Sequence, residues 1–284
     1  MDLMDIINRS RLNEDPATSY IFGARFGTII QDAYTQDDAH YMVEALDDLC
    51  NPLLIDWGWA SSGIYSFWDF ETKELLYIGL AVNFAERFKQ HNGIIRTRPS
   101  SCKYEKITDY FYSSKKIGYS ILTMPSICQP LIRKNVKEIT KGAKVELSEF
   151  KDEQFKRDVK LVEGILLESY KKKFGQLPPW NEQSGSLEGA GRSTGGNYKI
   201  VEGFTTTNYN HPLVAKCTLR ELQSNIHYSY EEFLDKGRQH MLTHGTSFKE
   251  AMELLLNETG GEDQIFNMIL RDEYLMKTPN LEID

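Results

Sequence analysis

Apolar and polar positions alternate most clearly between Gly63 and Gly79, where GIYSFW and LLYIG, rich in aromatic and β-branched residues, flank the more polar run DFETKE. That is the pattern of two strands joined by a turn, and it predicts a hairpin. Tyr65, in the middle of one strand, and Tyr77, near the end of its partner, then come side by side, because cross-strand neighbours sit about 4.5–5.5 Å apart at Cβ. Gly79 lets the chain leave the sheet closely packed against the next segment. There the period changes to that of a helix: Asn83 is an N-cap, Phe84 and Phe88 share one face, and Arg87 and His91, four apart, share another.

Elsewhere the pattern predicts further elements. IGYSILTMP, residues 117 to 125, alternates as a third strand, giving a three-stranded antiparallel sheet. Residues 1 to 60 read as helical with irregular links. Thr35 to Asp38 offer a capped start for AHYMVEALDDLC, whose Met42, Ala45, Leu46 and Leu49 form one apolar side. SYIFGARFGTII fits helix and strand equally, and Trp57 and Trp59 read as packing residues before the hairpin. A long helix starts at Ser148 or Asp152 and stops at Gly175, with Phe155, Val159, Val162, Leu166 and Tyr170 as its apolar stripe. Glu163 lies at the edge of that stripe, half drawn toward the sheet. Residues 182 to 197 read as a flexible, glycine-rich link. Its GAGRSTGG has no apolar strand before it and no Gly-Lys-Ser/Thr ending, which excludes a phosphate loop and with it a nucleotide cofactor. From about residue 200 the chain is helical, with capping boxes at Thr218/Glu221, Ser229/Glu232 and Ser247/Glu250.

Charge changes this picture. The net charge of −8 divides into −8 for residues 1 to 60, +7 for 61 to 181 and −7 for 182 to 284. The hairpin segment is thus the one that attracts a polyanion. Within it Arg96, Arg98, Lys103, Lys106, Lys115 and Lys116 are interleaved with Tyr104, Tyr110, Phe111 and Tyr112. That mixture suits phosphate neutralisation and base stacking, and equally a polar loop anchored by a few aromatics. A second basic run holds Arg133, Lys134, Lys137, Lys141 and Lys144. No run approaches the ~18 apolar residues of a membrane span, and no signal segment is recognisable, so the expectation is a cytoplasmic protein with no membrane partner. Cys50, Cys102, Cys128 and Cys217 lack metal-site spacing, and His240 and His244 read as a packing pair.

Taken together, Gly63-Ile64-Tyr65, Tyr77-Ile78-Gly79, Arg87 and His91 resemble the GIY-YIG nuclease domain, over roughly residues 61 to 181. In that family a metal-binding glutamate precedes a proline and an asparagine. Glu163 and Asn181 are the matching positions here, with Glu168 as the competing carboxylate. The resemblance implies an α/β (α+β) fold, a small three-stranded antiparallel sheet flanked by helices. Residues 1 to 60 would be a helical extension, 61 to 181 the nuclease domain with a basic insertion at about 93 to 147, 182 to 197 the linker, and 198 to 284 an acidic helical region. It also implies a Mg²⁺- or Mn²⁺-dependent DNA endonuclease. Tyr65 would be the general base, Tyr77 its orienting partner and Arg87 the phosphate ligand. His91 would relay a proton or hydrogen-bond the phosphate or Tyr65. Glu163 would hold one metal ion, and Asn181 would tie the later segment back to the site. One set of such residues cuts one strand, so double-strand cleavage needs a homodimer or two successive events. The acidic tail argues against a homing enzyme and the lack of recognisable further domains against a repair subunit, which leaves restriction or host defence. The contrasting class is a catalytically silent nucleic-acid-binding or protein-interaction module, which has no reason to keep Tyr65, Arg87 and Glu163 together.

Overall fold

A computed structural model describes residues 25–50, 60–96, 102–125, 152–223, 225–258 and 264–282. Trp57, Trp59, Arg98, Cys128, Ser148 and the second basic run lie outside the described residues.

The predicted hairpin forms from β2 (Gly63–Asp69) and β3 (Leu75–Ala81). Its register sets Tyr65 opposite Gly79 and Phe67 opposite Tyr77, so the two tyrosines share one face. The strand expected after it is β4 (Lys116–Thr123), paired antiparallel with β2. The sheet, however, has four strands rather than three. Ile29–Thr35, here β1, pairs antiparallel with β4 and gives the order β1-β4-β2-β3 in an open, wholly antiparallel sheet. This corrects the strand count and the expectation of helix with irregular links for residues 1 to 60, and at Ile29 and Ile30 it decides for strand where the sequence fits helix and strand equally.

β1 escapes the alternation test because it is buried on both faces. Its polar side chains find partners in the C-terminal region: Gln31 donates to the carbonyls of Gly203 and Thr206, although its Oε1 is buried without a partner, and Asp32 takes a forked contact from Arg220, with Nη2 to Oδ1 at 2.9 Å. The outer edge of β1 is covered as well, by hydrogen bonds from Ile29 N to Leu213 O and from Ala215 N to Ile29 O.

Helices cover both sides of the sheet. α1 (Ala39–Cys50) buries Met42, Ala45, Leu46 and Leu49 as predicted, with Thr35 and Asp38 hydrogen-bonded to each other at its start. α2 (Phe84–His91) is capped by Asn83, whose side chain accepts from the Glu86 N–H. It sets Phe88 and His91 against the aromatic face of Tyr65, Phe67 and Tyr119. α3 (Tyr104–Ser113) precedes β4. α4 (Asp152–Phe174) packs on β2 and β3, burying Val159, Val162, Ile165, Leu166, Leu167 and Tyr170, and ends at Gly175 as the sequence requires.

The glycine-rich link is structured. It forms α5 (Leu187–Arg192), which lies directly on α4: a Cβ on Gly189 would stand 2.2 Å from the Leu161 carbonyl oxygen, and one on Gly164 2.5 Å from that of Ser186. These glycines serve close backbone approach rather than flexibility. Beyond α6 (Tyr198–Gly203) and α7 (Leu219–Leu222), α8 (His227–His244), α9 (Phe248–Glu258) and α10 (Gln264–Arg271) build the C-terminal part. The Thr218/Glu221 and Ser247/Glu250 boxes cap as expected, but α8 begins at His227, so Ser229 lies inside its first turn. Asp235 of α8 fastens this part to the sheet, accepting from the N–H and hydroxyl of Thr28, both at 2.7 Å, and from the Thr123 hydroxyl. The apolar cores of sheet and C-terminal helices are accordingly continuous.

Candidate active site

The site lies at the free edge of the sheet, on β3. An edge strand exposes every second backbone N–H and C=O, and in β3 these groups are met in turn by residues distant in sequence. The Leu76 carbonyl accepts from the Trp180 N–H at 2.9 Å. Ile78 makes two bonds with the Asn181 amide, N to Oδ1 at 2.9 Å and Nδ2 to O at 2.8 Å. Glu163 stands beside Leu80 on the walls of both clefts, and the Leu80 N–H helps hold its carboxyl down against burial. Asn181 thus acts as a one-residue strand on β3. Glu168, the competing carboxylate, is half-buried one turn further along α4 and borders neither of the two clefts at this edge.

Around that edge the expected residues converge. Tyr65 Oη lies 2.6 Å from His91 Nε2 and 3.2 Å from Arg87 Nε. The Lys103 backbone N–H reaches His91 Nδ1 at 2.8 Å. A backbone amide can only donate, so Nδ1 is the acceptor, and the neutral imidazole carries its hydrogen on Nε2, directed at Tyr65. Burial, together with the charges of Arg87 and Lys103, holds the imidazole well below its ordinary pKa, and His91 is therefore neutral. In this state it donates to Tyr65 and has no free position to take a proton, so the relay role expected of it does not fit the geometry.

Tyr65 accepts from both His91 and Arg87, so its own hydrogen is left to turn toward the neighbouring Tyr77, with which its titration is linked. The two rings are 5.7 Å apart. Gly79 makes room for the pair, since a Cβ there would stand 2.8 Å from each hydroxyl oxygen. Gly63 is required for a different reason: its φ is +148°, and a Cβ would meet the Leu122 carbonyl at 2.1 Å. Burial raises both tyrosines above their usual pKa, Tyr65 far above it, while Arg87 pulls both down. Tyr65 is 0% exposed. Tyr77 is the member of the pair that faces the solvent clefts.

Two clefts meet here. One, about 360 Å³, is lined by Tyr77, Val82, Glu86, Arg87, Gln90 and Glu163 among others. The other, about 430 Å³, is lined by Tyr77, Lys103, Lys160, Glu163, Asn181 and residues 182 to 186. Tyr77, Leu80 and Glu163 form the ridge between them. Burial pushes the Glu163 carboxyl up to about 7, against the Leu80 N–H and the charges of Arg87 and Lys160, which pull it down.

A metal ion would find one hard oxygen donor in Glu163, with Glu86 on the cleft wall. No group of three or more His, Cys, Asp or Glu converges among the described residues. That donor set fits Mg²⁺, which keeps most of its waters, and does not fit zinc or a protein-built two-metal cage.

Of the expected nucleic-acid contacts, Lys103 is at the site, its ammonium 5.2 Å from the Tyr77 ring centre. Arg96 borders a third cleft that shares Lys103 and Gln90 with the other two. Lys116 sits over Phe70, at the turn end of the hairpin, and exposed Lys115 precedes it, so neither joins the clefts. Gln90 was not anticipated: it accepts from Arg87 Nη1 at 3.0 Å and fixes the guanidinium plane. Its place one residue before His91 offered no signal beyond the helical period. The His240 and His244 rings stack 4.2 Å apart in α8. No protein-family model, curated protein or solved structure matches this chain.

Proposed function

We propose that this protein is a GIY-YIG-type endonuclease that hydrolyses DNA phosphodiester bonds with Mg²⁺ or Mn²⁺, in a restriction-type or host-defence role. The observation that carries the reading is that Tyr77, Arg87 and Glu163 border one cleft, with Tyr65 and His91 hydrogen-bonded directly behind them. The hairpin, the helix that directly follows it and the distant α4 bring a phenol pair, a guanidinium and an acid to one point, which is what attack on a phosphate requires.

Arg87, on the cleft wall, binds the scissile phosphate through the guanidinium N–H groups left over when Nε is held by Tyr65 and one Nη1–H by Gln90. The two tyrosines act as one acid–base unit. Tyr77 meets the attacking water, and Tyr65 holds the charge, because its oxygen has two donors in place when ionised, His91 Nε2–H and Arg87 Nε–H, with the Tyr77 hydroxyl beside it. With Tyr65 already ionised, water gives a proton to Tyr77 Oη as Tyr77 passes its own to the Tyr65 phenolate oxygen, which ends the step as a neutral phenol. This divides the roles differently from the resemblance alone, which makes Tyr65 the direct base. His91 positions Tyr65, and Asn181 holds the cleft wall against β3. Glu163 would hold the metal ion, whose chemistry there would be neutralisation of the negative charge that builds on the reacting phosphate.

The full burial of Tyr65 favours the alternative of a catalytically silent module that binds nucleic acid or protein. Supercoiled plasmid separates the two readings. Mg²⁺-dependent nicking, abolished by EDTA and by both Arg87→Ala and Glu163→Ala, supports the nuclease. Binding without nicking supports the silent module, and nicking unaffected by both substitutions refutes this site.

A further inference from the structure

We propose that Glu182 is a placeholder for a substrate phosphate: its carboxylate occupies, on Lys103, the position taken by a DNA phosphate next to the scissile one. The inference rests on the nuclease reading and adds to it a residue that sets substrate affinity. Lys103 is fixed at the meeting of two clefts. Its side chain is only 17% exposed, its ammonium stands over the Tyr77 ring, and its backbone amide holds His91. Glu182 borders the same two clefts, but its side chain is 79% exposed. Their N–O distance is 3.7 Å, whereas Lys89 and Asp47 close to 2.7 Å. A cation on a rigid support thus faces a loosely held anion, against the short contact of about 2.7–2.9 Å that a charge-assisted bond adopts.

The backbone explains why the anion can leave. Asn181 is pinned to Ile78 and Trp180 to Leu76, so the chain before Glu182 is fixed while its carboxylate extends over the cleft without a hydrogen bond to that framework. A phosphate oxygen is the same kind of acceptor as a carboxylate oxygen. When a strand crosses from the Arg87 cleft to the Lys103 cleft, its neighbouring phosphate replaces Glu182 on Lys103, and the freed carboxylate turns to water. In the empty cleft Glu182 screens Lys103 from weaker anions, so that only a ligand already held at Arg87 competes effectively.

The test is fluorescence anisotropy of a short fluorescein-labelled DNA duplex with the uncleaving Glu163→Gln protein, alongside cleavage by the wild type. In that background Glu182→Gln tightens binding about two- to fivefold, the range of an exposed ion pair. Lys103→Met weakens binding and lowers the salt slope by about one. Lys103→Arg restores both. The deciding arm is the double substitution: with Lys103→Met in place, Glu182→Gln has no effect, and Glu253→Gln, a carboxylate paired with Lys249 on α9, has none in any background. No tightening by Glu182→Gln, tightening that survives Lys103→Met, or equal tightening by Glu253→Gln overturns the placeholder. A wild type that cuts DNA while showing one of those results loses the placeholder alone. A chain that neither cuts nor binds DNA loses the nuclease reading and the placeholder together.

Discussion

Replacing Glu163 by Gln should make the metal-free protein more stable at pH 8, although it removes the residue on which the proposed metal site depends. In the folded chain the carboxyl is pushed up to about 7 from its ordinary 4.5, chiefly by burial between α4 and β3. A carboxyl raised in this way holds its proton in the folded state over a range where the unfolded chain has released it. Its contribution to stability is therefore present below about 4.5 and lost as pH rises through 7. At about 1.4 kcal/mol per pKa unit the ceiling is ~3 kcal/mol. Water in the cleft screens part of it, leaving about 1–3 kcal/mol, or ~3–8 °C in Tm for a chain of this size. Glutamine has the same shape and keeps a carbonyl oxygen near the Leu80 N–H, so it removes the charge with little change in packing. Thermal melts of both proteins in EDTA from pH 4.5 to 8 should diverge, the wild type falling behind as pH rises. Mg²⁺ at pH 8 should then raise the wild-type Tm and leave that of Glu163→Gln unchanged. Parallel curves across the whole range, or a glutamine variant that is the less stable at pH 8, would refute the placement of this carboxylate.

Three further outcomes rest on the same geometry. Asn181→Ala leaves Ile78 N–H and C=O without their partners and should destabilise the fold by about 1–3 kcal/mol, read by urea unfolding. Gly79→Ala drives a methyl into both tyrosine hydroxyls, and should abolish activity while lowering Tm only modestly, since the crowding falls on the tips of two side chains. Under single turnover at saturating Mg²⁺, above the range in which Glu163 ionises, the cleavage rate should rise with pH from about 8 to about 9 along a slope of one, because burial holds the tyrosine pair above its ordinary pKa and one proton must leave it.

The hairpin, α1, α2 and the end of α4 were legible because each carries a local signal: alternation, an N-cap, an apolar stripe or a stop glycine. β1 was not, because its polar residues are matched by groups about 170 to 190 positions away, Gln31 by Gly203 and Thr206 and Asp32 by Arg220, and no local pattern encodes such pairing. The glycines at 185 and 189 look from sequence like flexibility, and only the opposing surface of α4 reveals them as contact residues. The candidate site was legible as a set of residue types, since Tyr65, Tyr77, Arg87, His91, Glu163 and Asn181 do come together. Its internal order was hidden. The tautomer of His91 is set by a backbone amide, and a backbone amide leaves no trace in residue identity.

The most direct measurement of the central claim is the single-turnover cleavage rate of a defined DNA duplex in Mg²⁺ by the wild type, Tyr65→Phe and Tyr77→Phe, at saturating protein. Loss of either hydroxyl should lower the rate at least ~100-fold, the scale of general acid–base catalysis, with duplex affinity nearly unchanged. Cleavage by both phenylalanine variants at close to the wild-type rate would contradict the account.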